Sequence, residues 1–362
     1  VLGPDKLLTL IVFAIFTVAS AAAAVWLIGR EPTRKIRAQA SAAMVAAIVG
    51  AISMTGIQMN RTLGYAANWS DVPGLFFMKP DGKGPATPIR RPVPGPDAGD
   101  PELPGRPGDS RWKAKFTKDS NGAYKTKFRG PISGINLPVW VWTPKNYSPT
   151  NGKIYKVMLM LHGYPGNPYK VPTQLNLQNA MKKHPNTIMA IPSLKVDATS
   201  PDCVDIKGRP AVGSWVVDDI VGMVRHNFPN TEKTRKGWTI AGASYGAYCS
   251  AVLGLTHPQT FSKIISFSGY DQPETGRLLG APLRVRREFS VSSLLSRQRA
   301  WPQRFYVTGS KGDPKSAAFV QKLKRISTPA VRITSLLQPI GGHNWGVWRK
   351  ELPAALAWNG KV

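Results

Sequence analysis

Residues 237–250 read GWTIAGASYGAYCS. The apolar strand Trp238–Ala241 runs into Gly242-Ala243-Ser244-Tyr245-Gly246, and the apolar helix Tyr245–Leu255 follows. G-x-S-x-G between a strand and a helix is the pattern of a nucleophile elbow. The bend is so sharp that its serine is held in a strained backbone conformation, and the residues two before and two after it have to be small. Such a bend predicts that the Ser244 hydroxyl projects over the carboxyl edge of a sheet, beside the amino end of the next helix.

Outward from the elbow, strands and helices alternate. Val157–Leu161 (VMLML) is a continuous apolar run, as expected of a central strand covered on both faces. Lys113–Thr117, Ala123–Phe128 and Leu137–Thr143 read as opening strands. Thr187–Ile191, Lys263–Phe267, Arg304–Thr308 and Val331–Leu336 read as further strands. Helices are predicted over Thr173–Lys182, Ser214–Asn227, Lys315–Arg325 and Trp345–Trp358. This order predicts an α/β domain over 112–362, with a mostly parallel sheet and helices on both faces.

A serine needs a base within hydrogen-bond reach to act as a nucleophile. Of the five histidines, His343 lies in a Gly-Gly-His loop after the last strand, which brings it to the same sheet edge as Ser244. His184, His226 and His257 each sit near a helix end. His162 follows VMLML and is read as bracing a loop whose Tyr164 N–H, with that of Tyr245, would face a developing oxyanion. A carboxylate should orient the imidazole. Asp313 follows the strand Arg304–Thr308 and completes the chain order Ser…Asp…His. Asp271, after Lys263–Phe267, is its rival, and Asp218 and Asp219 are read as structural.

The first sixty residues differ in kind. Residues 7–28 are uncharged and long enough to cross a hydrocarbon core, and 38–59 form a second, weaker run. Small residues four apart (Ala42, Ala46, Gly50) suit close helix packing in lipid. The reading is a two-helix transmembrane hairpin over 1–60. Arg30, Arg34, Lys35 and Arg37 in the connection put that connection in the cytoplasm and the rest of the chain outside the plasma membrane. Residues 61–111 read as a juxtamembrane segment and an extended spacer, with nine prolines between Lys79 and Arg111. Lys and Arg outnumber Asp and Glu by 48 to 20, a net charge of +28, which favours polyanions and acidic lipid. No nucleic-acid-binding motif accompanies that charge. Two cysteines, Cys203 and Cys249, without a CxxC, predict no metal site. They read either as a disulfide or as two separate thiols. No cofactor is expected.

The stretches LPVWVWTPKNY, VMLMLHG, GASYG, RFYVTGSKGD and GGHNWGVW together resemble the putative-esterase family of α/β-hydrolases. That family holds esterase D-type carboxylesterases, feruloyl esterases and secreted mycolyltransferases. The resemblance covers about residues 134–358 and implies Ser244 as nucleophile, Asp313 as acid, His343 as base and Tyr164 N–H as the first oxyanion donor. It implies hydrolysis of a carboxylic ester through an acyl-enzyme, while the expected substrate, an ester linked to lipid or to the cell wall, is not taken from the family. The alternatives are transfer of the acyl group to a sugar or lipid hydroxyl, and a non-catalytic binding module. Residues 268–300 depart from the family in their arginines. Arg284, Arg286 and Arg287 would there lie beside the pocket mouth, either gripping an anionic substrate or forming a solvated basic surface.

Overall fold

The computed structural model describes residues 2–4, 6–63, 69, 72, 86–91, 93, 95, 99–119, 122–164, 166–196, 202–299 and 301–360. Most of the expected juxtamembrane segment lies outside them. The chain divides into two units, Val1–Phe77 and Met78–Val362.

In the first unit α1 (Leu7–Ile28) and α2 (Arg34–Leu63) pack as a hairpin. At 1.5 Å per residue α1 is about 33 Å long. At Gly50 the two helices approach closely, since a β-carbon there would fall 2.4 Å from Thr17 Oγ1. Asn60 Nδ2 closes the far end by donating to the Pro4 carbonyl at 2.9 Å. The second helix starts earlier than the 38–59 expected. Thr33 Oγ1 accepts the Ile36 N–H, a capping bond that draws Arg34, Lys35 and Arg37 into the helix. Apolar side chains such as Val18, Val25 and Ile52 stand exposed along the hairpin.

The second unit is built on a nine-stranded sheet in the order β1-β2-β3-β5-β4-β6-β7-β8-β9. The strands are β1 (Thr117–Lys118), β2 (Tyr124–Arg129), β3 (Asn136–Trp142), β4 (Lys156–Leu161), β5 (Thr187–Pro192), β6 (Trp238–Ala243), β7 (Lys263–Phe267), β8 (Gln303–Ser310) and β9 (Val331–Gln338). Pairing is antiparallel from β1 through β3 to β5, and parallel from β5 to β9. The fold is that of an α/β-hydrolase. Alternation along the central strands divides the core in two. Val157, Leu159 and Leu161 face one cluster, with the helices α3 (Val221–Asn227), α4 (Tyr245–Thr256), α5 (Leu283–Glu288), α6 (Val291–Arg297) and α7 (Pro314–Lys324) on that side. Met158 and Met160 face the other, which is closed by α8 (Trp345–Gly360) and the short turns between residues 171 and 183.

Several local expectations are corrected. Residues 113–116 are not a strand. Asn227 takes up the backbone there, accepting the Ala114 N–H at 3.0 Å and donating to the Trp112 carbonyl at 2.8 Å. The single helix expected over Thr173–Lys182 is broken at Asn176, whose φ of 49° is left-handed, a conformation asparagine tolerates. Val171–Gln174 and Leu177–Ala180 are separate turns. The helix expected from Ser214 widens into a π-turn over Trp215–Ile220. There the buried Asp219 carboxylate accepts the N–H groups of Ile132 and Ser133, each at 2.9 Å.

The expected spacer is also corrected over its described part. Ile89 N–H donates to the Asp205 carbonyl and Lys207 N–H to that of Thr87. Arg91 reaches Asp218, Ser214 and Asp205. Farther along, Leu103 and Trp112 are buried, and Arg225 bonds to the Leu103 carbonyl and to Glu102. Prolines carry no N–H to contribute, so the segment is held by the residues between them. Residues 86–91 and 99–112 form a strap on the hydrolase unit.

Candidate active site

Ser244 has φ 58° and ψ −121°, a region that side-chain-bearing residues adopt only where the surroundings enforce it. Its N–H donates to the Phe267 carbonyl at the end of β7, and its carbonyl accepts the N–H groups of Ala247 and Tyr248. Both neighbouring glycines are sterically required. A β-carbon at Gly242 would fall 2.0 Å from the Gly246 carbonyl oxygen, and one at Gly246 would fall 2.2 Å from that of Leu161. The elbow thus presses directly on the end of β4. Between β4 and β6 the chain reverses its direction of progress across the sheet, the crevice in which open α/β sheets carry their sites.

His343 is brought to that crevice by the loop after β9. Its Nε2 lies 2.7 Å from Ser244 Oγ, and its Nδ1 lies 2.7 Å from Asp313 Oδ2. Asp313 is 8% exposed, and its other oxygen accepts the Ser316 N–H at the start of α7. Burial pushes the Asp313 carboxyl up, but the hydrogen bonds from His343 and Ser316 outweigh it and hold the group below the usual carboxylate range. The carboxylate therefore stays ionised and keeps the proton on Nδ1, leaving Nε2 free to accept one. The two loops meet because Gly312 has no side chain, as a β-carbon there would fall 1.8 Å from the Gly341 carbonyl oxygen.

The rival Asp271 is engaged elsewhere. It accepts the N–H and hydroxyl of Ser292 and pairs with Lys322.

His162 is buried, and burial lowers it to about 4, so the ring is neutral. Its Nε2 accepts the Leu194 N–H at 2.9 Å, which leaves Nδ1–H to donate to the Gly163 carbonyl at 2.8 Å. The ring thereby ties the loop after β4 to the loop after β5. A β-carbon at Gly163 would lie 3.2 Å from Ser244 Cβ, so this loop passes directly over the serine. Tyr164 and Tyr245 meet edge to face, their ring centres 6.3 Å apart. Tyr245 is the first residue of α4, where helix N–H groups and the helix dipole favour negative charge.

Two further side chains support the imidazole. The Trp348 ring stands edge-on to His343 at 5.3 Å, and its indole N–H donates to Ser268 Oγ at 3.0 Å. Ser268 has a φ of 50°, a non-glycine residue in left-handed backbone like Asn176 and Ser244. The paired tryptophans of GGHNWGVW were visible in the sequence, but Ser268 gave no signal.

Glu351, in α8, is fully buried (0% exposed). Burial raises its carboxyl to about 7, against the hydrogen bond it accepts from Thr308. The folded chain therefore holds a proton that the unfolded chain, with a carboxyl near 4.3, gives up. Stability is expected to fall by roughly 3–4 kcal/mol as pH rises from about 4 through about 7, and to level off above about 8. Glu351→Gln should flatten this profile and melt about 5 °C higher than the parent at pH 8. Thermal unfolding at pH 5 and pH 8 reads both, and a profile as steep as the parent's would reject the assignment.

Arg284 and Arg287 do not join these residues. They line a groove bounded by α5, α6 and the end of α7. Arg286 is not among the residues lining it. The cysteines form a disulfide, Cys203–Cys249, that fastens the loop before α3 to the middle of α4.

The model of the family described as Putative esterase matches residues 132–359. An uncharacterized protein of Corynebacterium glutamicum is 24% identical over 226 residues, covering 57% of this chain and 52% of that protein. The chain thus spans about half the length of the curated relative it matches. Among solved structures, FphF, a fluorophosphonate-binding serine hydrolase of Staphylococcus aureus, superposes with a TM-score of 0.55 at 16% identity, over 69% of this chain and 99% of its own. An S-formylglutathione hydrolase of Agrobacterium tumefaciens gives 0.55 at 14%, over 68% and 97%. A ferulic acid esterase gives 0.52 at 15%, over 68% and 98%. At these identities the structures share the fold.

Proposed function

We infer, since this chain belongs to the Putative esterase family, that it is a membrane-anchored serine esterase working outside the cytoplasm through Ser244, His343 and Asp313. The observation that carries this reading is the unbroken hydrogen-bonded line from Ser244 Oγ through the imidazole to the Asp313 carboxylate. His343 Nε2 removes the hydroxyl proton as Oγ attacks the ester carbonyl. The negative charge that develops on the carbonyl oxygen falls between the N–H groups of Tyr164 and Tyr245, each such donor contributing about 3 kcal/mol to the transition state. The imidazolium formed then protonates the departing alcohol. Water, deprotonated by the same nitrogen, releases the acid from Ser244.

Two observations support the anchor and its direction. Both N-terminal helices are long and apolar enough to cross a membrane, and Arg30, Arg34, Lys35 and Arg37 gather at their connection and in the first turn of α2 against the single Glu31, the excess of basic residues expected on a cytoplasmic side. The Cys203–Cys249 disulfide suits an oxidising compartment.

One experiment tests chemistry and location together. A fluorophosphonate probe unable to cross membranes, applied to intact cells, should label the peptide that contains Ser244. Labelling only after lysis would put the domain inside the cell, and no labelling in either case would reject the nucleophile.

A further inference from the structure

A groove of about 1180 Å³ runs between α5 and α6 on one wall and the end of α7 on the other. Arg90 of the strap, Arg284 and Arg287 of α5, Arg297 of α6, and Lys322 and Arg325 at the end of α7 all line it. All six side chains are exposed. Glu288 takes up Arg90 and Asp271 takes up Lys322. Arg284, Arg287 and Arg325 make no ion pair among the described residues.

The groove is separate from the site at Ser244. Helix α7 starts at the Asp313 cap, and Arg325 lies twelve residues on, so that end of the groove is on the order of 18 Å away. Among the described residues, six cations line the groove against one carboxylate, Glu288, and such an excess of one sign in a concave surface concentrates its field and attracts anions. The cations come from four chain segments on opposite walls. A tetrahedral anion offers oxygens in every direction and can bridge such walls, whereas a carboxylate offers both oxygens on one side. Arginine forks suit phosphate oxygens in pairs. At about 1180 Å³ and open to solvent, the groove has room for several phosphate groups. No aromatic side chain lines it among the described residues, so nucleic-acid bases would find no stacking platform.

We propose that this groove binds a linear, base-free polymer of phosphate groups, held by Arg284, Arg287, Arg297 and Arg325. The proposal does not rest on the assignment of Ser244.

The test uses the full chain in a neutral detergent, with fluorescent inorganic polyphosphate of about ten phosphates as the probe and anisotropy as the readout. Replacing Arg284, Arg287 and Arg325 together by Ala should weaken binding by at least about tenfold and lower the slope of affinity against salt. Replacing the exposed Lys113, Lys115 and Lys127 by Ala removes the same charge elsewhere, and should weaken binding less than about twofold. Melting curves check that both variants fold. If the arginine-to-alanine variant melts early, Arg→Lys at the same three positions keeps the charge without the fork and should weaken binding about threefold. Equal losses in the two alanine variants would overturn the proposal. So would single-stranded DNA of matched charge binding more tightly than polyphosphate, or loss of capture by anionic phospholipid vesicles while polyphosphate binding stands.

Discussion

Ser244→Ala is expected to lower turnover of a short p-nitrophenyl ester by roughly ten-thousand-fold or more. Alanine keeps the Cβ and so inherits the strained backbone at φ 58°. The exchange leaves the Ser244 N–H bond to Phe267 and the carbonyl bonds from Ala247 and Tyr248 untouched. Folding stability should therefore move by no more than about 1 kcal/mol. Activity loss with an unchanged melting curve is the signature of a missing nucleophile. Full residual turnover would mean that ester cleavage proceeds elsewhere on the protein.

The second large effect separates two aspartates. Asp313→Asn keeps an oxygen for the Ser316 N–H, but turns an amide N–H₂ toward His343 Nδ1. Nδ1 must then accept, the proton moves to Nε2, and the nitrogen facing Ser244 can no longer take up the hydroxyl proton. A loss of roughly a thousandfold or more in kcat is expected. Asp271→Asn gives up the ion pair with Lys322, which is half exposed, and should cost about threefold at most in activity and about 1 kcal/mol in stability. Steady-state kinetics of the two variants decides between them, and the reverse ranking would move the acid role to Asp271.

The parts of this fold that were legible in the sequence are those written in contiguous side chains. VMLML is apolar throughout, and the run ending at Ala243 is apolar but for Thr239, because both faces of β4 and β6 are covered. Their observed limits differ from the expected ones by one or two residues. The short helices of residues 276–297 span four to seven residues each, too few turns to print a helical period. The strap escaped for a different reason. Its proline content argues against a packed element, yet what holds it are backbone groups and carboxylates more than a hundred residues distant, such as Asp205 and Asp218. Around the candidate site, Ser244 and His343 stand in glycine-flanked motifs and are legible for that reason. Ser268 is joined to the imidazole only through Trp348. Gly312 matters because another loop passes against it, and neither relation leaves a trace in local composition.

The backbone at Ser244 also limits which chemistries descendants of this chain can reach. Cysteine has the same unbranched Cβ and can occupy that conformation, opening a path to thiol-based acyl chemistry. Threonine, the third side chain able to offer a comparable nucleophile, is β-branched, and its extra methyl group is poorly tolerated at positive φ. Mutational drift at this codon therefore has one open door and one closed, and the bend decides which.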